Sequence, residues 1–224
     1  MIGVGVLALC VGSYGAWVCI SPGNPFYWLC VFFSVIHYIN AALIQLVAIF
    51  GEDFDYEKHQ KIVQDHSITE NNAPMIDVYL PCCREPLDIL KNTYKYVQAL
   101  EYPKGCLEIH VLDDGGSPEV EDLATQYGFN YMTRDDKPYL KKAGSLRWAF
   151  RRTRGEFFVI FDADVCPRSD FLYELVPRIL VDPTIGIVQS SEYFRTLDSQ
   201  TWVERGGGAF REQFDRYIQV SFIQ

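Results

Sequence analysis

The sequence predicts an α/β domain with a mostly parallel sheet, set behind a two-helix membrane hairpin. Three observations predict it. Residues 1–51 contain no Lys, Arg, Asp or Glu, so every charged side chain lies beyond Gly51. From Met75 onward, short β-prone runs alternate with stretches of helical periodicity. One of those runs, 156–161 (EFFVIF), is apolar almost throughout, as a strand covered on both faces must be.

The hairpin comes first. Residues 2–20 and 26–50 are apolar runs separated by Ser21-Pro22-Gly23-Asn24-Pro25. A span needs about 20 mostly apolar residues; the second run is ample and the first just sufficient. Proline removes backbone donors and glycine admits turn geometry, so the intervening segment breaks any helix. The first run lacks the basic start of a cleaved signal and is followed at once by a longer one, which favours a hairpin. The turn carries no Lys or Arg, so charge does not set its orientation. His37 falls mid-span, where a ring tucked between helices is expected.

Residues 52–74 form a polar connector. Glu52, Asp53, Asp55 and Glu57 precede Lys58 and Lys61, a pattern for a short helix at a membrane surface, and Asn71, Asn72 and Pro74 mark the next boundary. The net charge of −9 excludes a nucleic-acid partner, which calls for a basic face. Of seven cysteines none forms a C-x-x-C pair, which argues against zinc and for a reduced, cytosolic setting.

In the polar domain, 76–80 (IDVYL) reads as a strand ending at Pro81, and 87–100 as a helix. A second strand spans 107–112 with His110 as a core or edge histidine, and a helix opens at Pro118 and runs to 127. A brief strand follows at 129–132, then a helix at 139–152 with Trp148 in the core, the strand at 156–161, a helix at 169–181 and a strand at 185–190 (IGIVQS). Gly206-Gly207-Gly208 lacks the spacing of a phosphate loop and reads as a flexible loop. Tyr193, Phe194 and Trp202 are expected as core or interface aromatics. Strand–helix alternation places ligands at the carboxyl ends of the strands.

Those ends are unusual. The first strand leads into Pro81-Cys82-Cys83-Arg84-Glu85-Pro86, the second into Asp113-Asp114-Gly115-Gly116-Ser117, and the strand at 156–161 into Asp162-Ala163-Asp164. Taken alone, each is also an ordinary polar turn. Four carboxylates gathered at one edge repel one another, and a hard cation such as Mg²⁺ or Mn²⁺ relieves that repulsion. Such an ion also grips diphosphate oxygens.

The motifs PCCREP, VLDDGG, KKAGSLR, VIFDADVCPR and IGIVQSSEYF, in this order, resemble glycosyltransferase family 2 and within it the cellulose synthase-like polysaccharide synthases. The resemblance runs from Met75 to about Ser221. It implies a GT-A fold over 75–224 and inverting transfer from a UDP-sugar to a growing glycan. It places Cys83, Arg84 and Glu85 beside uridine, and Asp113 and Asp114 where uracil and ribose are read. Lys142 would face the diphosphate, Asp162 and Asp164 would hold Mg²⁺ or Mn²⁺, and Gln189 would lie toward sugar and acceptor. Ser145 and Glu192 depart from the family's usual Asn and Gln. The family's T-E-D general base and Q-x-x-R-W motif are not found before Gln224, so the chain is expected to be the N-terminal part of a synthase, its acceptor side cut short. The alternatives are an inactive membrane-anchored nucleotide-sugar-binding fragment and a family 2 enzyme acting on a lipid phosphate carrier. A multi-pass protein of the plasma or Golgi membrane is implied, with its catalytic domain in the cytosol and a homo-oligomer or synthase complex possible. Neither the sugar nor the polymer is specified.

Overall fold

The computed structural model describes residues 10–14, 27–50, 54–194 and 200–214; for residues 30, 44, 45, 47–50 and 209–214 it describes the backbone alone. Two compact units result, one of Tyr56–Gln189 and one of Met1–Asp55 with Ser190–Gln224.

The first unit is built on β1 (Ile76–Cys82), β2 (Leu107–Asp113), β3 (Asn130–Met132) and β4 (Phe157–Ile160). All pairings are parallel, and the order is β3-β2-β1-β4. Every residue of β1 is buried, because it is central and covered on both faces. Ile76, Val78, Leu80 and Cys82 share one core with Leu90, Tyr94 and Val97 of α3 (Leu87–Gln98), Val120, Leu123 and Ala124 of α4 (Pro118–Gln126), and Leu172 and Val176 of α6 (Phe171–Val181). Tyr79 and Leu112 turn the other way and pack on Ala149 of α5 (Lys141–Phe150). Full burial of each aliphatic side chain contributes about 1.5–3 kcal/mol, so the central strand is the strongest determinant of this sheet.

Helices on both faces of a parallel sheet are what the alternation predicts, and Pro118 opens α4 as expected. Three expectations need correction. The run at 156–161 is not covered on both faces: β4 leaves Phe158 48% and Ile160 39% exposed. Residues 185–190 form no strand, and Ile187 is 82% exposed. A strand exists only where a neighbouring edge accepts its hydrogen bonds, and residue pattern alone does not supply one. The connector forms the expected short helix, α2 (Tyr56–Asp65), whose buried His59 bonds Glu174 of α6 through Nε2 at 2.7 Å. Gly206, Gly207 and Gly208 sit inside a helix, α7 (Trp202–Phe214). A capping box offsets their poor propensity: Thr201 N–H donates to Glu204 Oε2 at 2.7 Å and Glu204 N–H to Thr201 Oγ1 at 3.4 Å. Of the core-or-interface aromatics, Trp202 is 84% exposed and Tyr193 78%, which leaves the interface alternative for both.

In the second unit, the apolar run at 26–50 yields α1 (Tyr27–Phe50), a helix of 24 residues. Trp28, Leu29, Phe32, Phe33, Ile36 and Ile39 are all exposed on it. Among the described residues no helix is found that is long and apolar enough to cross a membrane; several side chains of α1 lie outside that set. The expected turn at 21–25 and most of the first span also fall outside the described residues.

Candidate functional site

The chain fills the sheet outward from β1 to β3 and then returns to the opposite side of β1 to place β4. That reversal between β1 and β4 opens a crevice at the carboxyl ends of the two strands, the standard ligand position in open α/β sheets. A cleft of about 290 Å³ lies there, lined by Pro81, Glu85, Ile89, Lys142, Asp162, Ala163 and Asp164. Three of the motifs therefore converge, although they stand far apart in the chain.

Asp162-Ala163-Asp164 forms a tight turn after β4, closed by Val165 N–H donating to the Asp162 carbonyl at 3.0 Å. Its middle is anchored: buried Thr93 of α3 donates through Oγ1 to the Ala163 carbonyl at 2.7 Å, and Ala163 and Val165 pack on the core. With the backbone held from beneath, both carboxylates point outward and stay exposed. Thr93→Val is expected to leave that carbonyl unsatisfied and to cost about 1–3 kcal/mol in denaturant unfolding; an unchanged midpoint would deny the anchor.

The expectation that four carboxylates crowd one edge and await a cation is corrected. Asp113 is buried, and its oxygens accept from Gly115 N–H at 2.7 Å, Ser117 N–H at 2.7 Å and Tyr131 O–H at 2.9 Å. It shapes the turn into α4. Burial and that bond to Asp113 push the Tyr131 phenol up, so it remains a donor. Burial first, then Asp113, pushes the Cys82 thiol up as well, which leaves it protonated rather than nucleophilic. Asp114 is gripped by Arg134, whose Nε and Nη2 reach its two oxygens at 2.7 Å each. Asp162 accepts from Lys142 Nζ, from the first turn of α5. Of these four carboxylates, Asp164 alone has no hydrogen-bonding or ionic partner among the described residues.

The loop after β1 is tied to the same edge. Cys83 N–H donates to Glu85, Arg84 is exposed with φ 71°, and Asp114 N–H donates to the Cys82 carbonyl at 3.0 Å. Gly115 lies so close that a Cβ there would meet Arg84 N at 3.3 Å. Gln189 is exposed at the end of this unit and does not line the cleft. Arg134 was not among the sequence candidates, yet it is the most heavily bonded side chain here.

A second grouping stands at the other end of the strands. Asp77, Glu108 and His110 bring one ligand atom each within 4.8 Å of one another, an arrangement that could hold a divalent ion. Glu108 lies five residues before Asp113 on β2, about 17 Å away at about 3.3 Å per residue, so this group takes no part in the cleft. Asp77 accepts from Gly155 N–H at 2.7 Å, and its other oxygen lies 3.1 Å from His110 Nε2. These bonds account for its burial; His110 Nδ1 has no partner among the described residues.

The sequence model described as glycosyl transferase family 2 matches residues 77–223, about two thirds of the chain. The chain belongs to glycosyl transferase family 2. Relatives of this family 2 chain include the UDP-forming cellulose synthase catalytic subunits of Pseudomonas fluorescens (37% identical over 125 residues, 56% of this chain) and Xanthomonas axonopodis pv. citri (32% over 144 residues, 61% of it). It spans only 17% and 20% of their lengths. Among solved structures, a mannosyltransferase of Pyrobaculum calidifontis in complex with GDP-Man and Mn²⁺ is 21% identical, with a TM-score of 0.48, over 68% of this chain and 45% of that one. Family membership and the parallel sheet together make the α/β domain one of GT-A type.

Proposed function

We propose that this chain supplies the nucleotide-sugar-binding part of a membrane-bound, inverting glycosyltransferase that extends a β-linked glycan from a UDP-sugar. The observation that carries the reading is the convergence of Glu85, Lys142, Asp162 and Asp164 on one cleft at the β1/β4 reversal. Asp162 and Asp164 fit a hard cation because both are exposed carboxylates on one anchored turn; the cation would take the place that Lys142 holds on Asp162. Bound there, Mg²⁺ or Mn²⁺ would neutralise the diphosphate leaving group.

The side chains of the chain do the rest. The Lys142 ammonium is a compact charge suited to phosphate oxygens, and it stands in the first turn of α5, where backbone N–H groups favour anions. Cys83, Arg84 and Glu85 border the nucleoside side, with Arg84 exposed and cationic. Asp114, held by Arg134 on both oxygens, is assigned to the uracil or ribose of the donor. Gln189 is assigned to the sugar and acceptor side. Membrane attachment is part of the proposal: a charge-free N-terminal block and the exposed apolar side chains of α1 support it. The catalytic domain then faces the cytosol, at the plasma or Golgi membrane, with the glycan acceptor and further copies as partners.

Calorimetry on the full 224-residue chain tests the reading. UDP is expected to bind with Mg²⁺ or Mn²⁺ and to bind at least about tenfold more weakly in chelator, since charge-assisted contacts to phosphate are lost. Equal affinity in both conditions would remove the metal from the site.

A further inference from the structure

We propose that Arg134 is a positioning residue that braces Asp114 and the Lys142-bearing start of α5 into one unit, so that the nucleoside and diphosphate of the donor meet their partners in a fixed register. This rests on the cleft being a nucleotide-sugar site.

Arginine has five N–H donors and no acceptor. In Arg134 all five are used. Nε and one Nη2 hydrogen form a fork on the Asp114 carboxylate. Nη1 donates to the Tyr139 carbonyl at 2.7 Å and to Asp136 Oδ1 at 3.2 Å, and Nη2 also reaches the Lys141 carbonyl at 3.0 Å. The residue is 2% exposed. Its fork geometry cannot be copied by lysine, which offers a point charge in place of a planar array.

What it grips is strained. Leu140 has φ 55° and Lys141 φ 46°, left-handed values that cost an L-residue about 1–2 kcal/mol each. Such conformations persist only where their surroundings over-determine them. Arg134 bonds the carbonyls on either side of Leu140, and Lys142 is the next residue along. Space for the guanidinium comes from Gly144, where a Cβ would stand 2.6 Å from Nη1. Among the described residues no other hydrogen bond joins Asp114 to the 139–141 segment. A buried arginine serving stability alone would need no such pair of targets, one at each of two neighbouring parts of the site.

Arg134→Lys in the full chain, titrated with UDP and Mg²⁺, tests the brace. A cooperative thermal transition identifies the folded protein, and in it the affinity is expected to fall at least about tenfold, the scale of a small misplacement of binding groups. The loss should be less than additive with that of Lys142→Ala, because one residue acts through the other. Wild-type affinity in folded Arg134→Lys, or strictly additive losses, overturns the proposal. Hydrogen exchange on the wild-type chain gives a second reading that needs no variant. The Lys141 and Gly144 amides, which bond the Pro138 and Leu140 carbonyls, should be as protected without UDP as with it. Protection appearing there only on UDP addition also overturns it. A wild-type chain that binds no UDP sinks the nucleotide reading instead, and leaves the exchange result to judge the brace.

Discussion

Replacing Asp162 and Asp164 together by alanine is expected to weaken UDP binding by about 30-fold to 1,000-fold, some 2–4 kcal/mol, and to erase the difference between metal and chelator. The turn that carries them should survive the change. Its backbone is held by Thr93 through the Ala163 carbonyl and by Ala163 and Val165 in the core, none of which the substitution touches. Both carboxylates are exposed, so the fold should lose no more than about 0.5 kcal/mol. The variant separates binding from stability for that reason. It also releases Lys142 from Asp162, which leaves one ammonium to hold the diphosphate without help. Persisting metal dependence in the double variant would place the ion elsewhere, with Asp77, Glu108 and His110 the first group to examine.

Gly144→Ala is expected to be strongly destabilising. A Cβ at this position would lie 2.1 Å from the Tyr139 carbonyl oxygen and 2.6 Å from Arg134 Nη1. The first is backbone and cannot swing aside; the second belongs to a side chain whose five donors are all engaged. Overpacking in a closed site usually costs about 1–3 kcal/mol and sometimes more. Here the clash also breaks bonds of a buried charge, so about 3 kcal/mol or more is expected, lowering Tm by roughly 6–12 °C for a domain of this size. UDP affinity should fall with it. A variant with unchanged Tm would mean that α5 can shift bodily, and the tightness of this corner would then be without consequence.

Much of this was legible in the sequence. β1 and β4 announce themselves as apolar runs and β2 by alternation, and α3 and α4 because their buried residues recur at helical spacing; β4 is nonetheless covered on one face, with Phe158 and Ile160 exposed. The two carboxylates of Asp162-Ala163-Asp164 could be named because they stand just after a strand, and Lys142 because the KKAGSLR segment resembles the family's motif. Arg134 carries no such mark in the sequence. It follows β3, a strand of three residues, within Thr133-Arg134-Asp135-Asp136-Lys137, which reads as a polar turn. The end of that strand belongs to the same edge as the other three. Its bonds to Asp114, Tyr139 and Lys141 follow from tertiary placement and leave no periodic trace. The roles of Asp113 and Asp114 were indistinguishable for a similar reason: adjacent residues point oppositely, and only the structure says which turns inward. The helix over Gly206-Gly207-Gly208 does carry a local signal, since Thr201 and Glu204 are spaced as a capping box.

The order β3-β2-β1-β4 has a consequence for how the chain is made. On emerging from the ribosome, β1 meets β2 soon afterward, but its other edge stays open until Phe157 pairs with Ile76, about 80 residues later, a long-range contact of the kind that slows folding. Until then a strand buried along its whole length in the finished protein presents bare amides and carbonyls to whatever comes near. A nascent chain stalled or cleaved before Ile160 would carry a sticky, unpaired edge, and quality control would meet it as an aggregation hazard.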